Sequence, residues 1–380
     1  VGRLSGARII FVLGPLEVGG SEKQALLLAR HLQNAEHANV EIWGTAGANG
    51  SLSKLCDESE ITWRIVPFQW EQGRARNLVS ITSFTTALRR GRPDIILPYL
   101  ASTNLLCNLV WPFTGARACF WNQRDLGLDR VRSKYERTAI RRASRFVANS
   151  DHVAEYLKNE LGANPARIQV VRNAVNLLPP VLDRTGWRER LGVKPNQLVA
   201  CMVANLHDNK DHTTLLRAWR IVLETIKQEH RPKLVLAGSF AGKHEALKAQ
   251  AFDLGLGDSV RFLGQVNDIS GLLEVADLGV FSSVSEGSPN GVLECMAAGL
   301  SVVATDIPGV REAVDRAGYD FLTPVGDSSA MAKAIVRLAN DRQLARSIGE
   351  ANRTRIREVF NAERLCADTV AMLNEALTTT

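Results

Sequence analysis

No apolar run in this chain approaches the ~18 residues that a membrane-crossing helix needs. The best candidate, Leu105–Phe113, is short and carries Asn108 inside it. The first residues, VGRLSG, lack the charged-then-apolar pattern of a secretion signal. The six cysteines, Cys56, Cys107, Cys119, Cys201, Cys295 and Cys366, form no C-x-x-C and keep no metal-ligand spacing. They read as reduced thiols in the core of a cytoplasmic protein. There is no Asp-x-Asp, so a metal bridging a diphosphate is not implied. There is no G-x-G-x-x-G either, which leaves a nicotinamide or flavin site without support. The expectation is neither a metal nor a bound cofactor.

What is present is an α/β alternation. At 380 residues the chain is too long for one ordinary core and suits two domains. Short β-rich runs recur at Arg8–Leu13, Val40–Trp43, Ile61–Val66, Asp94–Leu97, Ala116–Trp121, Phe146–Ala148 and Ile168–Val171. Helical periods separate them, as in Ser21–Leu32, where Ala25, Leu28, Ala29 and Leu32 repeat at i, i+3, i+4, i+7. Asn176-Leu177-Leu178-Pro179-Pro180 breaks the pattern with a stiff, extended connector. Alternation restarts at Leu198–Val203, Lys233–Ala237, Val260–Leu263, Leu278–Phe281, Ser301–Ala304 and Tyr319–Leu322, and the end is nearly all helical. This predicts two doubly wound, Rossmann-like domains with parallel sheets, residues 1–178 and 183–360, facing each other across a cleft. The carboxyl ends of the strands would present the ligand crevices. Residues 361–380 would add a terminal helix.

The most informative stretch is Val284–Ile307, VSEGSPNGVLECMAAGLSVVATDI. Glu286 and Glu294 stand eight positions apart, with Gly287-Ser288-Pro289-Asn290-Gly291 between them as a turn-rich segment that exposes backbone N–H groups. Pro289 suits the first helical position, and Gly291–Ala298 reads as a buried helix ended by Gly299. A helix start aimed at the end of a sheet favours anionic ligands. Upstream, Gly14–Glu22 places Gly19 and Gly20 between the first strand and the first helix, where glycine permits positive φ and close ligand approach. Ser21 is a candidate N-cap there. Gly238–His244 is one residue short of a phosphate-binding P-loop, and His244 replaces its hydroxyl residue, so that reading is rejected.

The Val284–Ile307 stretch resembles the nucleotide-sugar segment of retaining glycosyltransferases with the GT-B fold, specifically family 4 (glycosyl transferases group 1). The resemblance implies a nucleotide-diphosphate sugar of UDP or GDP type as donor, used as a substrate rather than a cofactor. It implies a glycan or lipid-linked acceptor, in cell-surface polysaccharide or glycolipid synthesis. Glu294 would bind the ribose hydroxyls and Glu286 would sit beside the transferred sugar, with Ser288, Pro289, Asn290 and Gly291 lining the donor. Lys210 would offset charge on the leaving diphosphate, helped by the Gly19-Gly20 loop. The family's Arg, a few residues before that Lys, is replaced by Asn205, which leaves one positive charge fewer. Gly238 resembles the glycine turn under the nucleotide, and Gly264 lies in a segment whose backbone meets the base. Many relatives place a His near Asn122 to meet the reacting sugar, and this chain has none; Asn122 and Arg124 either contact sugar hydroxyls or an acceptor phosphate, or belong to a structural loop. The terminal helix, about Ala362–Leu377, would cross back to the first domain.

Charge is uneven: residues 1–180 carry +8, the remainder −2. Arg130, Arg132, Lys134, Arg137, Arg141, Arg142 and Arg145 fall within one expected helix. Such a run is either a solvated face or a peripheral contact with an anionic membrane at its inner face. Nucleic acid is not expected, since no motif for it accompanies the charge. The competing functions are a non-catalytic nucleotide-sugar-binding protein and a sugar-nucleotide epimerase of the same fold.

Overall fold

The computed structural model describes residues 3–47, 49–70, 74–127, 130, 135–227, 231–240 and 242–378, with the backbone alone at 74 and 75. Contacts divide the chain into two compact units, Val1–Ala174 with Ala362–Thr380, and Val175–Asn361.

The first unit is built on seven strands: β1 (Arg8–Pro15), β2 (Asn39–Ala46), β3 (Thr62–Ile65), β4 (Ile95–Pro98), β5 (Ala118–Gln123), β6 (Arg145–Ala148) and β7 (Ile168–Val170). They run in the order β3-β2-β1-β4-β5-β6-β7, every neighbouring pair parallel. A parallel sheet is covered on both faces, which is why β1 and β5 read as near-continuous apolar runs. Helices Gly20–Asn34 and Ala362–Ala376 pack together over one face, burying Leu28, Leu365, Met372 and Leu373 with Leu97. Gln24 on the first of these helices donates to the Ala174 carbonyl and accepts from its N–H, each at 2.8 Å.

The second unit has six strands, β8 (Val199–Val203), β9 (Lys233–Ala237), β10 (Val260–Gly264), β11 (Leu278–Phe281), β12 (Val302–Thr305) and β13 (Leu322–Thr323). Their order is β10-β9-β8-β11-β12-β13, again all parallel. Both sheets are therefore doubly wound, as in the GT-B architecture. In each, the winding reverses beside the first strand, between β1 and β4 and between β8 and β11. Crevices for ligands open at such switch points.

Several local expectations need correction. Tyr319–Leu322 is not a strand: Asp315 caps a 3₁₀ turn, Arg316–Phe321, by accepting the Ala317 N–H at 3.0 Å, and only Leu322–Thr323 pairs in the sheet. Ser21 is not an N-cap; Gly19 holds that position without a side-chain bond. Pro289 is itself the N-cap of helix Asn290–Ala297 rather than its first residue. The basic run is not one helix. Glu136–Arg142 is a seven-residue helix, and Arg145 already begins β6, while Arg132 and Lys134 lie outside the described residues. The Pro-rich segment belongs with the second unit, where the Val175 N–H donates to the Phe360 carbonyl at 3.0 Å.

All six cysteines are buried and unpaired. Burial pushes every thiol up, to about 11 at Cys56 and Cys366 and to about 12 at Cys201. Among the described residues no helix is long and apolar enough to cross a membrane.

Candidate active site

The switch point of the second unit collects most of the expected residues. The loop after β8 carries Lys210 and the loop after β11 carries Glu286, and the two side chains form an ion pair. The pair is largely enclosed, with 18% of the Lys210 side chain and 10% of the Glu286 side chain exposed. Ser283 donates to the same carboxylate at 2.7 Å, and the Lys210 ammonium stands 5.0 Å from the Phe281 ring centroid. Backbone bonds lace the two loops, the Val284 N–H reaching the Asn209 carbonyl at 2.9 Å. Asp211 then caps helix His212–Thr225 at the Thr214 N–H, 3.0 Å, which fixes the end of the Lys210 loop. His212 is buried, with Nδ1 at 2.7 Å from the Lys210 carbonyl oxygen and Nε2 without a partner. Its pKa is lowered, first by burial.

Helix Asn290–Ala297 starts four residues after Glu286. A Cβ at Gly291 would run into the Val203 carbonyl oxygen, so glycine there lets the helix seat directly on the end of β8. Ser288 has a buried hydroxyl without a partner, and Glu294, one turn into the helix, is buried. The adjoining turns are tied together as well. The Gly238 N–H donates to the Gly264 carbonyl at 2.8 Å, and Gly264 has φ +69°. Asn205 is exposed, but its Oδ1 accepts the Ser239 N–H at 2.9 Å. It thus braces the β9 turn instead of offering a cation.

Gly19, Gly20 and Asn122 lie in the first unit. Gly19 is extended, φ −132°, and Gly20 is the first helical residue, so positive φ is not what these glycines supply. Space constrains Gly19: a Cβ there would come 2.5 Å from Glu22 Oε2. Glu22, three residues into the loop–helix junction, is buried and its carboxyl is pushed up by that burial. Asn122 donates its amide to the Pro98 carbonyl at 2.8 Å, and its backbone is clamped by Asn104 on both sides. It knits β5 to the end of β4. Among the described residues no cluster of three or more His, Cys, Asp or Glu is placed to hold a metal.

Two family models match, "Glycosyltransferase Family 4" over residues 18–177 and "Glycosyl transferases group 1" over 197–341. The chain belongs to glycosyltransferase family 4. This family-4 chain is 35% identical over 172 residues to the Bacillus subtilis putative glycosyltransferase EpsD, covering 45% of the chain and 44% of that protein. It is 22% identical over 307 residues to an Escherichia coli protein, UDP-Gal:alpha-D-GlcNAc-diphosphoundecaprenol alpha-1,3-galactosyltransferase, covering 78% and 79%. Its fold is that of Anabaena HepE, solved in complex with UDP and glucose, with a TM-score of 0.84, 20% identity, and coverage of 97% and 100%.

For this family-4 protein, sequence reasoning missed Ser283 and Glu22. Ser283 is an ordinary strand-end serine until the fold turns it onto Glu286. Glu22 had a signal: an acid three residues after an N-cap position is the second half of a capping box.

Proposed function

We propose that this family-4 protein transfers a sugar, with retention of anomeric configuration and without a metal, from a UDP- or GDP-type donor. The acceptor is a glycan or lipid-linked molecule in cell-surface polysaccharide or glycolipid synthesis. The observation that carries the reading is the enclosed Lys210–Glu286 pair at the switch point beside an uncapped helix start. A cation held there by a carboxylate is pre-organised to meet the donor's diphosphate as it leaves. Glu286 then faces the transferred sugar, Glu294 the ribose, and Ser288 with the first amides of Asn290–Ala297 the donor's hydroxyls and phosphates. The acceptor oxygen attacks from the face the leaving group departs, the anomeric carbon–oxygen bond breaks, and the departing phosphate oxygen takes the acceptor's proton. The protein's part is placement and charge stabilisation. The E. coli relative, named for a UDP-Gal donor and a diphosphoundecaprenol-linked acceptor, supports this substrate class.

A panel of nucleotide sugars scored by unfolding temperature tests it, because only a bound donor stabilises by mass action. A UDP- or GDP-sugar should raise the temperature and then be transferred or hydrolysed in EDTA. No response to any donor, or turnover only with added magnesium or manganese, would contradict the reading. Asn205 favours one alternative, a nucleotide-sugar binder that has lost turnover with its missing cation. Donor binding without transfer or hydrolysis would select it.

Peripheral contact with an anionic membrane inside the cell is part of the same proposal. Helix Arg74–Gly91 contains four arginines and no acid. Its Leu78 and Val79, with Phe113 across the way, are 60–70% exposed. A groove of about 380 Å³ beside them is lined by Arg89 and Arg142. Cations of this kind hold acidic lipids at about 1 kcal/mol each, within a Debye length. Phosphatidylglycerol vesicles should bind the protein at low salt, and phosphatidylcholine vesicles should not.

A further inference from the structure

We infer that the first unit carries its own binding site for a phosphate ester, centred on Arg124, and that its occupant is the acceptor. The inference rests on the glycosyltransferase reading and names the chemistry of the second substrate.

Arg124 follows β5 at the carboxyl edge of the sheet. Of the other part-buried arginines of the unit, Arg142 and Arg167 also lack a carboxylate but donate to the main-chain carbonyls of Leu109 and Ala143, and Arg8 meets Glu41 at 3.4 Å. Arg130, Arg145 and Arg172, with 25–28% of their side chains exposed, each meet a carboxylate at 2.6–2.8 Å, on Glu136, Glu375 and Asp151. Arg124 is enclosed to a comparable degree, yet among the described residues no carboxylate pairs with it. Its Nη1 donates to Asn173 Oδ1 at 3.1 Å, and its guanidinium lies 4.8 Å from the Tyr99 ring centroid. Burial pushes the Tyr99 phenol up, so that neighbour stays neutral. The adjacent Asp125 turns into its own loop, accepting from the Gly127 N–H at 2.6 Å. A cation withdrawn from water without a counter-charge is unfavourable unless a ligand supplies one.

The surroundings suit a phosphate on a hydroxyl-bearing group. The stack on Tyr99 and the bond to Asn173 hold the guanidinium in one plane, the condition for a two-pronged grip on phosphate oxygens. Asn149, 2% exposed, donates to the Arg124 carbonyl at 3.0 Å while its Oδ1 is buried without a partner. That oxygen is an acceptor waiting for a hydroxyl. Two residues past Tyr99, helix Ala101–Val110 begins with no side-chain cap, adding positive potential of the same sense. Tyr99, Arg124, Asn149 and Asn173 come from the ends of β4, β5, β6 and β7, where a doubly wound sheet presents ligands.

The test is calorimetric titration of the 380-residue chain with inorganic phosphate, glucose 1-phosphate and farnesyl diphosphate. It is run with and without the nucleoside diphosphate that best raises the unfolding temperature. Arg124→Gln should weaken phosphate-ester binding about tenfold or more, the size of a lost charge-assisted contact. Arg124→Lys, which keeps the charge but loses the two-pronged grip, should bind more weakly than wild type and more tightly than Arg124→Gln, and both variants should keep the wild-type nucleotide affinity and unfolding temperature. A preference for farnesyl diphosphate identifies a lipid-linked acceptor and one for glucose 1-phosphate a soluble one. Wild type that binds none of the three, or Arg124→Gln that binds them like wild type, overturns the inference. Phosphate-ester binding without any donor response would instead leave this site standing and remove the transferase reading.

Discussion

Two sheets with the same winding finish their carboxyl edges in opposite ways. In the second unit the cation is matched by a carboxylate inside the protein, Lys210 to Glu286, and glycine seats the following helix on the sheet. In the first unit the cation at the strand ends, Arg124, has neutral company, and the buried carboxyl, Glu22, sits at a helix start instead. The difference teaches that topology chooses where a site is, while charge pairing decides whether it stands complete before its ligand arrives. A matched pair keeps its shape in the empty protein. An unmatched cation leaves its energetic gain to the ligand.

The largest effect should follow from breaking the matched pair. Lys210→Met strands Glu286 in an enclosed position, which should cost roughly 3–5 kcal/mol of stability and lower turnover by about 10²–10³. The double variant Lys210→Met with Glu286→Gln should recover most of the stability in denaturant titrations and none of the turnover. Arg124→Gln, by contrast, should change stability by less than about 1 kcal/mol, as a lost bond to a neutral partner does. Equal losses at the two positions would erase the distinction.

Next in size are the helix starts and the nucleotide. Gly291→Ala meets a carbonyl oxygen of β8 that cannot move aside, and overpacking of this kind costs about 1–3 kcal/mol. Gly19→Ala meets only the end of the Glu22 side chain, so thermal unfolding should show a smaller loss there. Glu294→Ala should weaken nucleotide binding by roughly 1.5–3 kcal/mol as measured by calorimetry. A folded variant with unchanged affinity would remove Glu294 from the ribose.

The smallest effect is a pair of opposed pH dependences. Burial lowers His212 below its ordinary 6.5, so the unfolded chain takes up the proton first, and stability falls as pH drops below about 6.5. Burial raises Glu22 above its ordinary 4.5. Its contribution is therefore complete below that value and is lost as pH rises through the folded pKa. Unfolding temperatures across pH 4–8, taken as roughly spanning both groups, should lose the acid-side decline in His212→Gln. Glu22→Gln should flatten the other slope. Curves unchanged in both variants would show that other groups set the profile.

The sequence made the second unit legible because its chemistry is local. Glu286, Ser288, Gly291 and Glu294 fall within nine residues, and β8 and β11 are uninterrupted apolar runs. The first unit was less legible because its polar residues take their roles from distant partners. Asn122 looked available and instead ties β5 to Pro98. Gln24, 150 positions from Ala174, gave no sign that it would grip that residue twice. The arginines after residue 130 shared a charge pattern without sharing an element. A 3₁₀ turn displaced the expected strand at Tyr319 because one aspartate could cap it, a choice that hydropathy does not register.

The six enclosed thiols have a use at the bench. With every native sulfur buried and held protonated well above neutral pH, the folded protein offers maleimide reagents almost nothing to react with. A single cysteine introduced in place of Phe113 or Val79, both well exposed, would therefore take a fluorophore alone, with all six natural cysteines left in place. Such a conjugate would report vesicle docking as a change in emission colour, read in real time from an otherwise unaltered chain.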